Sequence, residues 1–133
     1  MTDVSRTVGA ITLFVEDPVR AKSFYERAFD ASTVFEDADS AAVAFDNLIV
    51  NLLRASQADE LIEPAPVAEP GGSRLMLTVW VDDADATAAE LRRRGVDLLN
   101  GPVDRPWGMR TAAFADPDGH VWEIAEQLSA GDE

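Results

Sequence analysis

The chain repeats one structural plan twice. The segment Phe14-Val15-Glu16-Asp17 ends an apolar stretch and precedes a helix-like stretch, and Trp80-Val81-Asp82-Asp83 does the same 66 residues later. Each half then closes on an apolar run, Leu48 to Leu53 in the first and Val121 to Ala125 in the second. Two copies are too few for a solenoid. The repeat therefore predicts an α+β fold of two βαβββ modules in one domain, with a ligand cleft where their sheets meet.

The boundaries of the modules follow from the turn-forming residues. A length of 133 residues is typical of a single domain (1–133) that can bury a core. Prolines and glycines between Pro64 and Gly72 interrupt the pattern and mark a linker. We expect module one at about 7–54, a connector at 55–73 and module two at about 74–127.

Local signals predict the elements of each module. Asp17 followed by Pro18 predicts a helix start, and Asp30 stands where a left-handed residue often ends a helix. In module two, Arg92-Arg93-Arg94 and then Gly95 mark a solvated helix end. The strands are expected at 8–15, 33–37, 41–46, 48–54, 75–81, 96–99, 110–115 and 120–126.

Composition excludes several classes of function. The net charge of −14 repels phosphate backbones, so we expect no nucleic-acid partner. The absence of cysteine excludes thiol catalysis, disulfides and thiolate metal sites. No apolar run reaches the ~18 residues of a membrane helix and the first residues do not resemble a signal peptide, so we expect a cytoplasmic protein without a membrane partner. The acidic charge serves either solubility or a cationic ligand, and both explanations stay open.

Three segments, together with the repeat, resemble the vicinal oxygen chelate superfamily. They are the turn and strand Asp116-Pro117-Asp118-Gly119-His120-Val121-Trp122-Glu123, the helix segment Ser23-Phe24-Tyr25-Glu26-Arg27-Ala28-Phe29, and the loop Arg105-Pro106-Trp107-Gly108-Met109-Arg110. This superfamily includes glyoxalase I, extradiol dioxygenases, fosfomycin-resistance enzymes and bleomycin-resistance proteins. The resemblance implies two βαβββ modules that form a curled mixed sheet with an open, U-shaped cleft. In metal-dependent members, the first and last strands of each unit supply His, Gln or Glu ligands to one divalent ion.

The positions that the resemblance assigns to metal ligands do not carry a ligand set. They fall on Ala10, Asn51, Met76 and Glu123, of which only Glu123 is a usual ligand for a hard metal. A registration shift of two residues puts threonines, Thr12 and Thr78, in place of the alanine and the methionine. Catalytic sites usually need about three protein ligands. We therefore expect no metal and no cofactor.

Histidine does not supply a further metal ligand at these positions. The single histidine, His120, lies three residues before Glu123, so strand alternation puts the two side chains on opposite faces. We expect His120 to be a solvent-side turn residue.

Strand alternation also predicts which side chains line the cleft. Trp122 and Ile124 should face the helix layer, whereas Glu123 should face the cleft with Val121 and Ala125. Trp107 lies between a proline and a glycine, which favours a loop at the rim. The predicted ligand-binding residues are Thr12, Phe14, Asn51, Met76, Thr78, Trp80, Trp107 and Glu123.

These residues favour a metal-free protein of the glyoxalase/bleomycin-resistance type that sequesters a bulky aromatic or cationic compound. The alternative is a lyase, isomerase or dioxygenase with an atypical metal site or with Glu123 as general base. Thr12, Thr78, Asn51 and Arg110 would then be the available polar partners. A third possibility is an assembly or regulatory subunit without a ligand. We also expect a homodimer, because two-fold dimers are the commonest oligomers and the family pairs its modules within or between chains.

Overall fold

The computed structural model describes residues 4–129. It divides into two compact units between Ala68 and Glu69, inside the predicted connector, and each unit holds one module. The α+β fold of two βαβββ modules is confirmed.

Module one forms a four-stranded mixed sheet with one helix. Its elements are β1 (Ala10–Val15), α1 (Pro18–Phe29), β2 (Ser32–Glu36), β3 (Ser40–Ala44) and β4 (Ile49–Arg54). The strand order is β1-β4-β3-β2, with β1 and β4 parallel and the other pairs antiparallel. The first and last strands of the module are therefore neighbours.

Module two repeats this arrangement after a short helix, α2 (Asp59–Ile62), in the connector. Its elements are β5 (Met76–Trp80), α3 (Ala84–Arg93), β6 (Leu98–Arg105), β7 (Met109–Ala115) and β8 (Val121–Gln127). The strand order is β5-β8-β7-β6, again with a parallel pair between the first and last strands.

The predicted helix signals are confirmed in α1. The Asp17 carboxylate accepts a hydrogen bond from the backbone N–H of Val19 at 3.0 Å, and Pro18 occupies the first turn, where its missing N–H costs nothing. Asp30 ends the helix with φ 55°, in the left-handed region that a short polar side chain tolerates. In α3, Gly95 has φ 86° just after the arginine run, as expected of a helix end.

One face of each sheet packs on its helix and forms the core of that unit. In module one the residues on this face are fully buried, as are the helix residues opposite them: Leu13, Val15, Val43, Val50 and Leu52 with Ala21 and Tyr25. In module two the matching set is Ala112, Phe114, Trp122 and Ile124 with Ala88 and Leu91. Trp122 and Ile124 are therefore core residues, as predicted, and the opposite face of each sheet carries the candidate site.

One prediction about element boundaries was wrong. The strand expected at 96–99 instead runs Leu98–Arg105, and it contains an irregularity around Gly101. Gly101 has φ 84°, and a Cβ there would overlap the backbone of Thr111 on β7, so only glycine fits. The connector carries a 3-10 turn at Ala55–Gln57 as well as α2.

Among residues 4–129, no helix is long and apolar enough to cross a bilayer.

Candidate functional site

The two modules place one polar pair at matching positions. On the face away from the helix, Thr12 of β1 is opposite Asn51 of β4, and Thr78 of β5 is opposite Glu123 of β8. The first strands are offset by 66 residues and the last strands by 72, so the same register recurs in both sheets. The chain therefore carries one amide pair and one carboxylate pair on equivalent frameworks.

The pair in module one is neutral. The Asn51 side-chain amide donates to the Thr12 hydroxyl at 3.3 Å. Phe14 lies two residues further along β1 on the same face and is half-buried. This face therefore offers hydrogen-bonding groups and an aromatic edge, but no charge.

The pair in module two is charged. The Thr78 hydroxyl donates to Oε1 of Glu123 at 3.0 Å, which fixes the orientation of a half-buried carboxylate. Met76 and Trp80, the neighbours of Thr78 along β5 on this face, are 51% and 74% exposed. Trp80 is therefore not a core residue, and the carboxylate lies next to a strand that carries two exposed, polarizable side chains. We call this surface the Glu123 face.

Trp107 lies in the turn that joins β6 to β7. The turn is closed by a hydrogen bond from the Gly108 N–H to the Arg105 carbonyl, and Gly108 adopts φ 85°. The indole is 68% exposed. Its place in a loop agrees with the sequence interpretation, whereas its place at the rim of a cleft stays a prediction. The same holds for a single cleft lined by residues of both modules.

Arg110 does not lie beside Glu123, contrary to its suggested availability there. It lies on the helix side of β7, where its guanidinium donates to Asp85 at 2.9 Å and to Asp104 at 2.9 Å. The hydrogen bond to Asp85, followed by that to Asp104, raises the pKa of Arg110 further above its usual value. The positive charge of Arg110 is therefore paired with two carboxylates on the helix side of the sheet.

A different arginine, Arg105, was missed as a site residue by the sequence interpretation. Its side chain donates to the Thr111 hydroxyl at 2.9 Å and to the Asn100 side-chain oxygen at 3.0 Å. Thr111 is paired with Ala125, two residues from Glu123, so this cluster belongs to the Glu123 face. Strand alternation would have found it only if β6 had been predicted to continue to Arg105.

His120 is more enclosed than a solvent-side residue. Its Nδ1 lies 2.8 Å from Oδ2 of Asp116, whose side chain is buried. The hydrogen bond to Asp116 raises the pKa of His120 above 6.5, although burial acts in the opposite direction. The histidine thus stabilises the turn before β8 and takes no part in the Glu123–Thr78 pair.

The residues present do not fit a divalent metal. Within residues 4–129, no three His, Cys, Asp or Glu side chains form a group that could hold an ion. Ala10 has no donor atom, and Met76 offers only a thioether, which suits soft metals. Thr12 and Thr78, the threonines two residues further along β1 and β5, are neutral and already hydrogen-bonded. The hard donors at the family's ligand positions are one carboxylate, of Glu123, and one amide oxygen, of Asn51, which are too few ligands to hold a catalytic ion.

The arginine run at the end of α3 is engaged locally. Glu90 accepts hydrogen bonds from Arg93 and from Arg94, which lower the pKa of Glu90 to about 2. This agrees with the interpretation of a solvated helix end.

The chain has relatives among known proteins over most of its length. Residues 7–124 match the family model described as the Glyoxalase/Bleomycin resistance protein/Dioxygenase superfamily. The uncharacterized protein YraH of Bacillus subtilis (strain 168) is 29% identical over 123 residues, which cover 89% of this chain and 96% of that protein.

Solved structures resemble the chain to a similar extent. A glyoxalase/bleomycin resistance protein/dioxygenase from Nocardioides is 25% identical, with a TM-score of 0.85, and the match covers 98% of this chain and 89% of that chain. TioX from Micromonospora sp. ML1 is 28% identical, with a TM-score of 0.68, and the match covers 90% of this chain and 98% of that chain.

Proposed function

The chain belongs to the glyoxalase/bleomycin resistance protein/dioxygenase superfamily, also called the vicinal oxygen chelate superfamily, and we propose that it binds a flat, positively charged small molecule without a resident metal. The observation that carries this proposal is the Glu123 face. There, Thr78 lies between the exposed side chains of Met76 and Trp80 on β5 and orients the Glu123 carboxylate of the neighbouring strand. The function is sequestration rather than turnover.

The geometry suits an aromatic cation. Trp80 lies two residues from Thr78 on β5, and Thr78 is opposite Glu123 on the neighbouring strand. These strand spacings put Trp80 and Glu123 about 8 Å apart as diagonal neighbours, so one bound ring system can reach both the indole and the carboxylate. Contact between a cation and an aromatic face contributes on the order of 0.5–2 kcal/mol. The net charge of −14 adds long-range attraction, which raises the association rate and makes it sensitive to salt.

Binding without a metal is supported by the donor chemistry. Ala10 and Met76 leave only the Glu123 carboxylate and the Asn51 amide oxygen as hard donors among the family's ligand positions, fewer than the about three ligands of a catalytic site. Elemental analysis of protein purified without chelator should find far less than one Ni, Zn, Mn or Fe per chain. Near-stoichiometric metal that is lost in Glu123→Ala would contradict the proposal.

Catalysis with Glu123 as general base is the less supported alternative. A base that removes a proton next to a carbonyl needs a nearby electrophile to stabilise the resulting charge. Arg110, the suggested candidate, is held on the helix side by Asp85 and Asp104. Arg105 shares the Glu123 face, but its guanidinium donates to Thr111 and Asn100. In the part of the chain that the structure describes, the hydrogen-bond partner of Glu123 is the neutral Thr78.

A matched pair of ligands tests the proposal. N-methylacridinium and acridine have nearly the same flat shape, but only the first is charged at mildly alkaline pH. Calorimetry should find the cation bound about tenfold more tightly, and Glu123→Gln should remove most of that preference. Trp107→Ala and Trp80→Ala should weaken both ligands, with little loss of stability because both indoles are largely exposed.

The control is Glu69→Gln, which removes the same charge by the same chemical change at an exposed connector position. It should leave both affinities within about twofold of the wild type. Equal binding of the cation and the neutral ring, unchanged in Glu123→Gln, would mean that the acidic surface serves solubility only.

We also propose that the protein is a homodimer, because two-fold dimers are the commonest oligomers and the connector of 19 residues is long enough for modules to pair within or between chains. Light scattering at micromolar concentration should give twice the chain mass of 14.4 kDa. A monomer mass under these conditions would refute the dimer and leave the binding proposal standing.

A further inference from the structure

Arg105 is held in place by neutral groups. Its Nε donates to the Thr111 hydroxyl at 2.9 Å and its Nη2 donates to the Asn100 side-chain oxygen at 3.0 Å. Thr111 is 1% exposed, and Arg105 itself is half-buried. The guanidinium is thus fixed at two points, and its orientation is set before any ligand arrives.

The charge of Arg105 is not neutralised by these partners. Among residues 4–129 Arg105 forms no ion pair within 4.0 Å, whereas Arg54, Arg93 and Arg110 each pair with a carboxylate. A partly buried charge is costly unless an opposite charge accompanies it. Arg27, Arg74 and Arg92 also form no ion pair among the described residues, but they are exposed, whereas Arg105 is half-buried. An anionic group on a ligand would supply the missing charge.

Register places this arginine cluster close to Glu123. Thr111 is opposite Ala125, and Ala113 is opposite Glu123, so Thr111 and Glu123 are diagonal neighbours on adjacent strands. Such neighbours are about 7–8 Å apart. Asn100 is opposite Ala113 on the far side, which places it in the same row as Glu123. An oriented cation and an oriented anion therefore share one sheet face at a separation that a small molecule can span.

We propose that Arg105, positioned by Asn100 and Thr111, binds an anionic group, and that the ligand of the Glu123 face is a zwitterion whose cationic and carboxylate-like groups lie several ångströms apart. This inference rests on the proposed cation binding at Glu123 for one half of the ligand. The Arg105 half stands on its own contacts. A guanidinium fork matches the geometry of a carboxylate, and hydrogen bonds between such charged groups are about twice as strong as neutral ones.

A purely structural role makes a different prediction. Arg105 also bridges β6 and β7 beside the irregularity at Gly101, so it could serve only to brace this hairpin. A brace would change stability and leave the relative affinities of charged ligands unchanged. The test therefore compares ligands within each variant and measures thermal melting alongside.

Four small aromatic probes separate the two charges. In 4-(aminomethyl)benzoate the ammonium and carboxylate lie across one benzene ring, benzylamine has only the first, benzoate has only the second, and benzyl alcohol has neither. Calorimetry or protein NMR titration on the full chain should find 4-(aminomethyl)benzoate bound most tightly. Arg105→Gln should weaken it about tenfold, and leave benzylamine within about twofold. Arg105→Lys, which keeps the charge but loses the fork, should fall between.

Arg92→Gln is the matched control, because it changes the net charge equally at an exposed position on α3. It should leave all four affinities within about twofold of the wild type. Asn100→Ala should weaken benzoate and 4-(aminomethyl)benzoate but not benzylamine, since it loosens the guanidinium and leaves Glu123 alone.

The outcomes distinguish the two proposals. If benzylamine binds through Glu123 but the carboxylate adds nothing and Arg105→Gln changes no ratio, the zwitterion inference fails and cation binding stands. Benzoate binding that depends on Arg105, without benzylamine binding, supports the anion site and removes the proposed cation function. A loss of melting temperature in Arg105→Gln with unchanged affinity ratios makes Arg105 a brace and overturns the inference.

Discussion

The two modules share a framework and differ in the chemistry placed on it. Both pair their first and last strands in parallel, with a threonine of the first strand opposite a polar residue of the last. In module one that residue is Asn51, which donates to its threonine, and in module two it is Glu123, which accepts from its threonine. Backbone register has been kept while the charge and the direction of the hydrogen bond differ. The shared register reflects the common fold of the two modules. The side chains that differ between matched positions indicate which module binds a charged ligand.

The residues three positions further along β4 and β8 also differ in charge between the modules. Arg54 near the end of β4 donates to Asp39 and to the Ala38 carbonyl, which ties β4 to the β2–β3 hairpin. The matching residue of β8, Glu126, accepts a hydrogen bond from the Ala84 N–H at the start of α3. Arg54 therefore stabilises a hairpin in module one, whereas Glu126 stabilises the start of a helix in module two.

The turns before β4 and β8 give the largest expected difference in stability. The module-two turn is organised by Asp116, whose buried carboxylate accepts the backbone N–H groups of Asp118 and His120, each at 2.9 Å. Asp116→Ala leaves these donors without their acceptor, and should lower the free energy of unfolding by about 2–4 kcal/mol. Urea denaturation followed by circular dichroism measures this loss.

The module-one turn provides the control for that prediction. It is closed by a backbone hydrogen bond from Phe45 to Leu48, and Asp46 at its tip is exposed. Asp46→Ala should change stability by less than about 0.5 kcal/mol. Equal losses in the two alanine variants would show that the two turns are interchangeable and would break the comparison.

His120 should make the stability of module two depend on pH, and module one has no counterpart. The hydrogen bond to Asp116 raises the folded-state pKa of His120 above the unfolded value of 6.5. Protonated His120 therefore stabilises the fold below that value, and this contribution is lost as pH rises through the raised folded-state pKa. Unfolding of the wild type and of His120→Gln at a series of pH values from about 5 to about 9 should differ most at the acidic end. A constant difference across the series would contradict the coupling.

The helix caps of the two modules should give a smaller difference in unfolding free energy than the turns do. Asp17 accepts from two N–H groups of α1, those of Val19 and Arg20. At the matching position of α3, Asp83 accepts from one, that of Ala86, and Glu126 accepts from the Ala84 N–H. Asp17→Ala should cost about 1 kcal/mol of unfolding free energy, and Asp83→Ala about half of that, because it leaves one donor rather than two without an acceptor. Chemical denaturation of each variant and of the double variant Asp83→Ala/Glu126→Ala decides. If the double variant loses no more than Asp83→Ala alone, Glu126 is not a cap.

Much of the framework was predictable because its signals are local. The Asp17-Pro18 start and the Asp30 end of α1 depend on backbone chemistry within one turn of the helix, and the structure confirms both. The alternation that places Trp122 in the core and Glu123 on the opposite face is a property of any extended strand.

The failures come from features that depend on distant backbone. Gly101 looks like a strand ending in the sequence, but it continues β6 because the Thr111 backbone lies against it. Once β6 is cut short, Arg105 is counted as part of a loop and its contact with Asn100 is lost. Arg110 was considered a candidate partner for Glu123, although its acidic partner Asp85 lies 25 residues away in the chain. Long-range pairing of this kind leaves no periodic signal.

The smallest expected effect comes from making the two polar pairs alike. Asn51→Asp places a carboxylate opposite Thr12, and an aspartate cannot donate, so the Thr12 hydroxyl would have to reverse and donate as Thr78 does to Glu123. A half-exposed carboxylate near an aromatic edge, Phe14, should then attract N-methylacridinium. Because exposed charge is screened, the gain should be only about threefold in affinity, and it should shrink as salt is added.

Asn51→Asp in the Glu123→Gln background tests whether a carboxylate in module one can replace the carboxylate of module two. If the framework is equivalent in the two modules, Asn51→Asp should restore part of the cation preference over acridine that Glu123→Gln removes, and calorimetry with both ligands measures it. Preference that does not return would mean that Trp80 and Met76, which module one replaces with Phe14 and Ala10, are as necessary as the carboxylate. In that case the difference between the modules lies in the exposed aromatic and thioether neighbours, and the charge alone does not define the site.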